Sequence, residues 1–211
     1  MRLWTYYRKE LLKNIWIKTD ISDIVLDVGC FDWYWLSTQI AKEKHAIDID
    51  IEPLYKNINY RKWDAIKLPY KDNFFDKVFA FDVIEHITLG KEQSFINELL
   101  RVTKKWWKII LTTPSKQIKL FPVFLTDYVS KKRWHYKCNG YTSNEILIYF
   151  NPKKNIKITH LESKWYLSLY FVLRMLWIFC KPLTRYFLEQ IAKMDAKKIW
   201  KHGYLLIVVT I

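Results

Sequence analysis

An α/β domain built on a mostly parallel sheet is predicted by three observations. Short apolar runs alternate with segments of helical spacing along the chain. The 211 residues are 51% hydrophobic and 27% charged, enough to bury a core and too apolar for a disordered chain. No repeat, low-complexity tract or Pro/Gly linker interrupts them, so residues 1–211 are read as a single domain.

The elements follow in order. Apolar positions at helical spacing predict an N-terminal helix over 5–16. Residues 23–28, DIVLDV, read as a strand buried on both faces. A helix over 35–43, a strand over 45–50 and a brief strand over 60–63 come next. Residues 75–81 make a fourth strand, 93–102 a helix, and 107–113 a fifth strand closed by Pro114. Late strands are expected over 156–163 and 204–211.

Between those late strands lies WYLSLYFVLRMLWIFC (165–180), apolar nearly all round with one charge, Arg174. Its 16 residues fall short of the roughly 20 that span a bilayer. After Pro182, Leu183, Tyr186, Phe187, Ile191 and Met194 form an amphipathic stripe. Residues 165–196 are therefore expected to be a helical insertion: a lid, a dimer face or a membrane-surface element. In the last case Lys181, Arg185 and Lys193 would lie near headgroups.

Charge and cysteine usage exclude some classes. The net charge is +14, yet 28 of the 35 basic residues are scattered lysines and only 7 are arginine, the planar fork that reads phosphates and bases. A solvated lysine surface is expected, not a nucleic-acid interface. Three cysteines without paired spacing argue against a disulfide framework, and no metal site is expected. The start MRLWTYYRKE has no apolar signal region, so a cytoplasmic setting, free or membrane-peripheral, is expected.

The chemistry concentrates in VLDVGCFDW (25–33). A strand runs into Gly29 and turns toward a helix, which is where open α/β sheets bind nucleotide-like ligands. Asp48 ends the next strand 21 residues after Asp27, a separation at which a carboxylate reaches ribose hydroxyls.

With the blocks VLDVGC (25–30), AIDID (46–50), DAIKLPYKDNFFDKVFAFDVIEHI (64–87), ELLRV (98–102), KIILTTPS (108–115) and HYKCNGYTSNEI (135–146) in this order, the chain resembles the class I S-adenosylmethionine-dependent methyltransferases of the type 11 branch. The likeness covers about 22–160 and returns at the final strand. It implies a doubly wound, Rossmann-like three-layer sandwich whose seven-stranded sheet has an antiparallel last strand. It also implies S-adenosyl-L-methionine as cofactor. Asp27, Gly29, Cys30 and Phe31 would line the loop beneath its methionine part, and Asp48 would accept from the ribose hydroxyls. Ile49 would pack on adenine, Asp64 and Ala65 would lie at the adenine edge, and Phe81 and Asp82 near the sulfonium. His86 and His135 are the candidate bases for an acceptor that must lose a proton.

The residues Asp82-Val83-Ile84-Glu85 lack the proline pair of base amino-methylating enzymes, and no cysteine follows a proline, as cytosine C5 enzymes require. A small-molecule, lipid-linked or glycan-linked acceptor is expected. The rivals are a scaffold that no longer turns over and an RNA methyltransferase.

Trp33, Trp63, Trp106 and Trp107 stand where the family places glycine. Glycine occurs 4 times and tryptophan 11 times, and 4 + 11 = 15 is about the usual 7% share of glycine. These positions are therefore expected to be UGA codons specifying glycine but read as tryptophan. UGG codons at the four sites would refute this.

Overall fold

A computed structural model describes residues 3–14, 17–30, 34–50, 55–116, 140–150, 155–161, 164–196 and 204–211. Its strands are β1 (Ile24–Val28), β2 (Glu43–Asp48), β3 (Asn59–Lys62), β4 (Phe75–Phe81), β5 (Thr103–Pro114), β6 (Asn155–Leu161) and β7 (Tyr204–Thr210). They form one sheet in the order β3-β2-β1-β4-β5-β7-β6. β1 to β5 pair in parallel, and β7 runs antiparallel between β5 and β6. This is the doubly wound sandwich with an antiparallel last strand that the sequence predicts.

Successive residues of a strand face opposite ways, so each inner strand feeds two cores. On β1, Val25 joins one apolar cluster, and Leu26 and Val28 the other. β4 likewise divides Phe79 and Phe81 from Val78 and Ala80. The second cluster is covered by α3 (Glu92–Val102) and α4 (Ser143–Ile148). The first is covered by α1 (Leu3–Asn14), α2 (Tyr34–Ser37), α5 (Lys164–Ser168), α6 (Tyr170–Phe179) and α7 (Lys181–Ala196).

Two expectations need correction. The helix expected over 35–43 is only the four residues of α2. The amides of Lys42 and Glu43 bond Asp23 O at 2.8 and 3.3 Å, which draws the chain back to the sheet and starts β2 at Glu43. Within the apolar stretch 165–180 the helix is interrupted at Leu169 (φ −101°, ψ 5°), dividing α5 from α6.

β5 begins at Thr103, four residues before the expected 107. Thr103 pairs with Phe75, but Lys108 already pairs with Lys77, so the intervening residues bulge. Trp106 lies in that bulge at φ +69°, its amide 2.6 Å from Ile211 O and its side chain 85% exposed. A β-carbon opposes this left-handed backbone. Trp63 and Trp107 do not adopt positive φ, and Trp33 lies outside the described residues. The local geometry thus favours glycine at one of the four tryptophans.

Candidate active site

The site is assembled at the carboxyl ends of β2, β1 and β4, three adjacent strands. Gly29 ends β1 at φ +69°, and a β-carbon there would come within 2.5 Å of Val83 Cγ2. Glycine at this point therefore lets the first loop press against the segment leaving β4. The amides of Gly29 and Cys30 both bond Ile47 O, at 2.8 and 3.3 Å, so the same loop is tied to β2. Asp27, one turn of the pleat earlier, is buried, as is the Cys30 thiol.

Asp48 closes β2, where it pairs with Lys62 of β3. Its Oδ1 accepts from the amide of Asp50 at 3.1 Å, and its carbonyl accepts from Trp63 N at 3.0 Å and the Tyr60 hydroxyl at 3.3 Å. Ile49 beside it is 60% exposed, an apolar surface open at the crevice. Asp64 is exposed and takes the amide of Ile66 on Oδ1 at 3.1 Å, while Ala65 is buried in the α3-side core.

The loop bearing Asp64 and Ala65 is pinned by α3. Arg101 clasps Glu98 through two bonds of 2.8 and 2.7 Å, and reaches Leu68 O, Tyr70 O and Asp72 at 3.0, 2.7 and 2.8 Å. Glu98 returns to the amide of Leu68 at 2.6 Å. The bonds from Arg101 hold the Glu98 carboxyl below the usual glutamate range. This is the physical content of the ELLRV block: its acid and base hold the segment that follows Asp64 and Ala65.

Asp82 follows β4 at φ +57°, an uncommon conformation for a residue with a β-carbon. It is held there from three directions. Its amide bonds Thr112 O at 2.9 Å, Thr112 Oγ1 donates to Oδ1 at 2.7 Å, and Arg8 Nη1 donates to Oδ2 at 2.9 Å. The Arg8 guanidinium also sits 5.1 Å from the ring of Phe81, which is buried edge-on against Trp35. α1 is thereby fastened over the β4 end of the crevice.

Glu85 is buried on the turn Ile84–His86 just beyond. Thr113 Oγ1 donates to Oε2 at 3.1 Å, and Oε1 has no hydrogen-bond partner among the described residues. Burial first, and then the charge of Asp82, push its carboxyl well above the usual glutamate value, which favours the protonated form. His86 on the same turn is exposed. Phe31 and His135 lie outside the described residues.

The crevice thus brings together Asp27, Gly29, Cys30, Asp48, Ile49, Phe81 and Asp82. Sequence reasoning missed Arg8, Thr112, Glu85 and the Arg101–Glu98 clasp. One signal was available: in a lysine-dominated chain, arginine marks fork-shaped contacts.

Comparison with known proteins agrees with this architecture. Residues 26–110 match the sequence model of a methyltransferase domain. An uncharacterised protein of Methanocaldococcus jannaschii is 30% identical over 124 residues, covering 56% of this chain and 52% of that protein. A Mycolicibacterium smegmatis protein described as a probable S-adenosylmethionine-dependent methyltransferase is 28% identical over 100 residues, covering 44% of this chain and 38% of its own. The chain thus spans about half or less of the length of these relatives. Phosphoethanolamine N-methyltransferase 2 of Haemonchus contortus, solved with S-adenosyl-L-methionine, superimposes with a TM-score of 0.64 at 17% identity, covering 98% of this chain and 52% of that one.

Fold and crevice together define a class I methyltransferase architecture, with the parallel strands' carboxyl ends as the ligand face. Within it, residues 26–110 carry the likeness to the methyltransferase domain, and the neighbour that shares the fold was solved with S-adenosyl-L-methionine.

Proposed function

We propose that the protein transfers a methyl group from S-adenosylmethionine to a small-molecule or lipid-linked acceptor. The observation that carries this reading is the convergence of Asp48, Gly29 and Asp82 at the ends of three adjacent strands.

The residues present fit the cofactor. Gly29 allows close backbone approach, and the carboxylates of Asp48 and Asp64 match hydroxyl and amine donors. Ile49 and Ala65 offer apolar contact to a flat base. When bound, the cofactor supplies a sulfonium methyl that is open to in-line displacement. What remains for the protein is placement, with the acceptor atom at about 3 Å and water kept out. Arg8 and Thr112 hold Asp82 rigid at that end, and α1 covers it. His86 and His135 are the groups to test as bases.

Calorimetric titration of S-adenosylmethionine into the protein and into Asp48→Asn tests the binding half. Loss of a charge-assisted acceptor should weaken binding about 10- to 100-fold. No binding by the original protein, or equal binding by the variant, would overturn the reading. A second reading, binding without turnover, is favoured by the positive charge of Arg8 beside Asp82. S-adenosylhomocysteine release across a panel of acceptors separates the two.

A further inference from the structure

We infer that the outer faces of α6 and α7 form a docking surface for an anionic lipid membrane. α6 buries Tyr170 and Leu173 against the domain and turns Val172, Met175 and Phe179 to solvent, at spacings of three and four residues along one stripe. The first half of α7 does the same with Leu183, Tyr186 and Phe187. A surface helix normally shows water its polar side; here two consecutive helices show an apolar one.

Charge selects the occupant. The two acids between residues 170 and 196 both turn inward. Glu189 accepts from the Tyr6 hydroxyl at 2.6 Å, and Asp195 from the Tyr7 hydroxyl at 2.7 Å. The exposed charges that remain on these helices, Arg174, Lys181, Arg185 and Lys193, are all positive. An apolar stripe rimmed by cations matches acyl chains beneath anionic headgroups. A second copy of the same face would set cations against cations. With ten residues, α6 is about 15 Å long, and no helix among the described residues is long and apolar enough to cross a membrane. The pair therefore lies on the surface.

The surface is also close to the chemistry. Tyr6 and Tyr7 of α1 grip α7, and the next residue, Arg8, reaches Asp82. A lipid-borne acceptor would arrive one helix away from the crevice. Docking itself does not depend on methyl transfer, so the two ideas fail separately.

Co-sedimentation of the full chain with vesicles tests the inference, using phosphatidylcholine alone and phosphatidylcholine mixed with phosphatidylglycerol. Binding should require the anionic lipid and weaken with salt. Met175→Ser combined with Phe179→Ser should lower partitioning about tenfold or more. Lys181→Gln combined with Lys193→Gln should do the same while leaving the apolar stripe intact. Thermal melts confirm that each variant folds. Failure to bind anionic vesicles, equal binding to both vesicle types, or unchanged binding by the variants would overturn it. So would a concentration-dependent dimer abolished by the serine pair, which would assign the face to a second copy.

Discussion

The helices on the two sides of the sheet are finished in opposite ways. α3 buries Phe95, Ile96 and Leu99 and shows solvent Gln93, Ser94 and Asn97. α6 buries Tyr170 and Leu173 and shows solvent Val172, Met175, Ile178 and Phe179. α3 lies against β5, whereas α6 lies against its neighbours α5 and α7, and the difference between them is in what each shows to solvent. It teaches that α3 is explained by the stability of this chain alone, whereas the outer face of α6 contributes little to that stability and calls for another medium.

The contrast can be broken by measurement. Leu99→Ala should cost about 3 kcal/mol of stability, because Leu99 is fully buried and its removal leaves a cavity. Denaturant titration reads it directly, and a loss below about 1 kcal/mol would mean the α3 side is looser than its packing shows.

The next effect sharpens the picture of that dry side, where Glu85 is a buried acid. Its folded value is raised, so above pH 4.5 the folded chain keeps a proton that the unfolded chain releases. Stability from this group is greatest below that pH and declines as pH rises toward the folded value. Glu85→Gln should therefore gain on the original protein steadily as melts are run at higher pH. Parallel curves would show that the carboxyl is not protonated in the folded state.

Trp106 asks whether an exposed aromatic by itself signals a contact. Trp106→Gly should stabilise the chain by about 0.5–1 kcal/mol, relief of left-handed strain outweighing the flexibility of glycine. A destabilised variant would give the indole a structural role. Last, Phe179→Ser, at a side chain 78% exposed, should move stability by no more than about 0.5 kcal/mol. A large loss there would erase the difference between the two sides.

Much of this was legible beforehand where a segment is governed by its own pattern. β4 matches its predicted bounds of 75–81 because five of its seven residues are apolar and most are buried on both faces. Gly29, Asp48 and Asp82 could be placed because strand ends follow from strands. The YT..E block within 135–146 is a capping box, in which Thr142 and Glu145 exchange bonds to start α4.

What could not be read depends on chain segments far apart. Periodicity showed which face of α1 is apolar, but not that Arg8 would land on Asp82, 74 residues away. The short α2 was misjudged because Asp23 O captures the chain at Lys42, a tertiary bond that overrides helical propensity. ELLRV was recognised as a block while its purpose waited on the loop it clasps.

The grip of α1 on α7 also sets an order of events during synthesis. Tyr7 and Asp195 are 188 residues apart, and β7, made after both β5 and β6, fills the place between them. At roughly 5–20 residues per second, α1 waits some 10–40 s after leaving the ribosome before its partner exists. Through that interval Tyr7, Leu11 and Leu12 lack the part of their core that α5, α6 and α7 supply. The strands β1 to β5 need none of this delay, so the crevice at their carboxyl ends can be laid down well before α7 arrives to hold its cover.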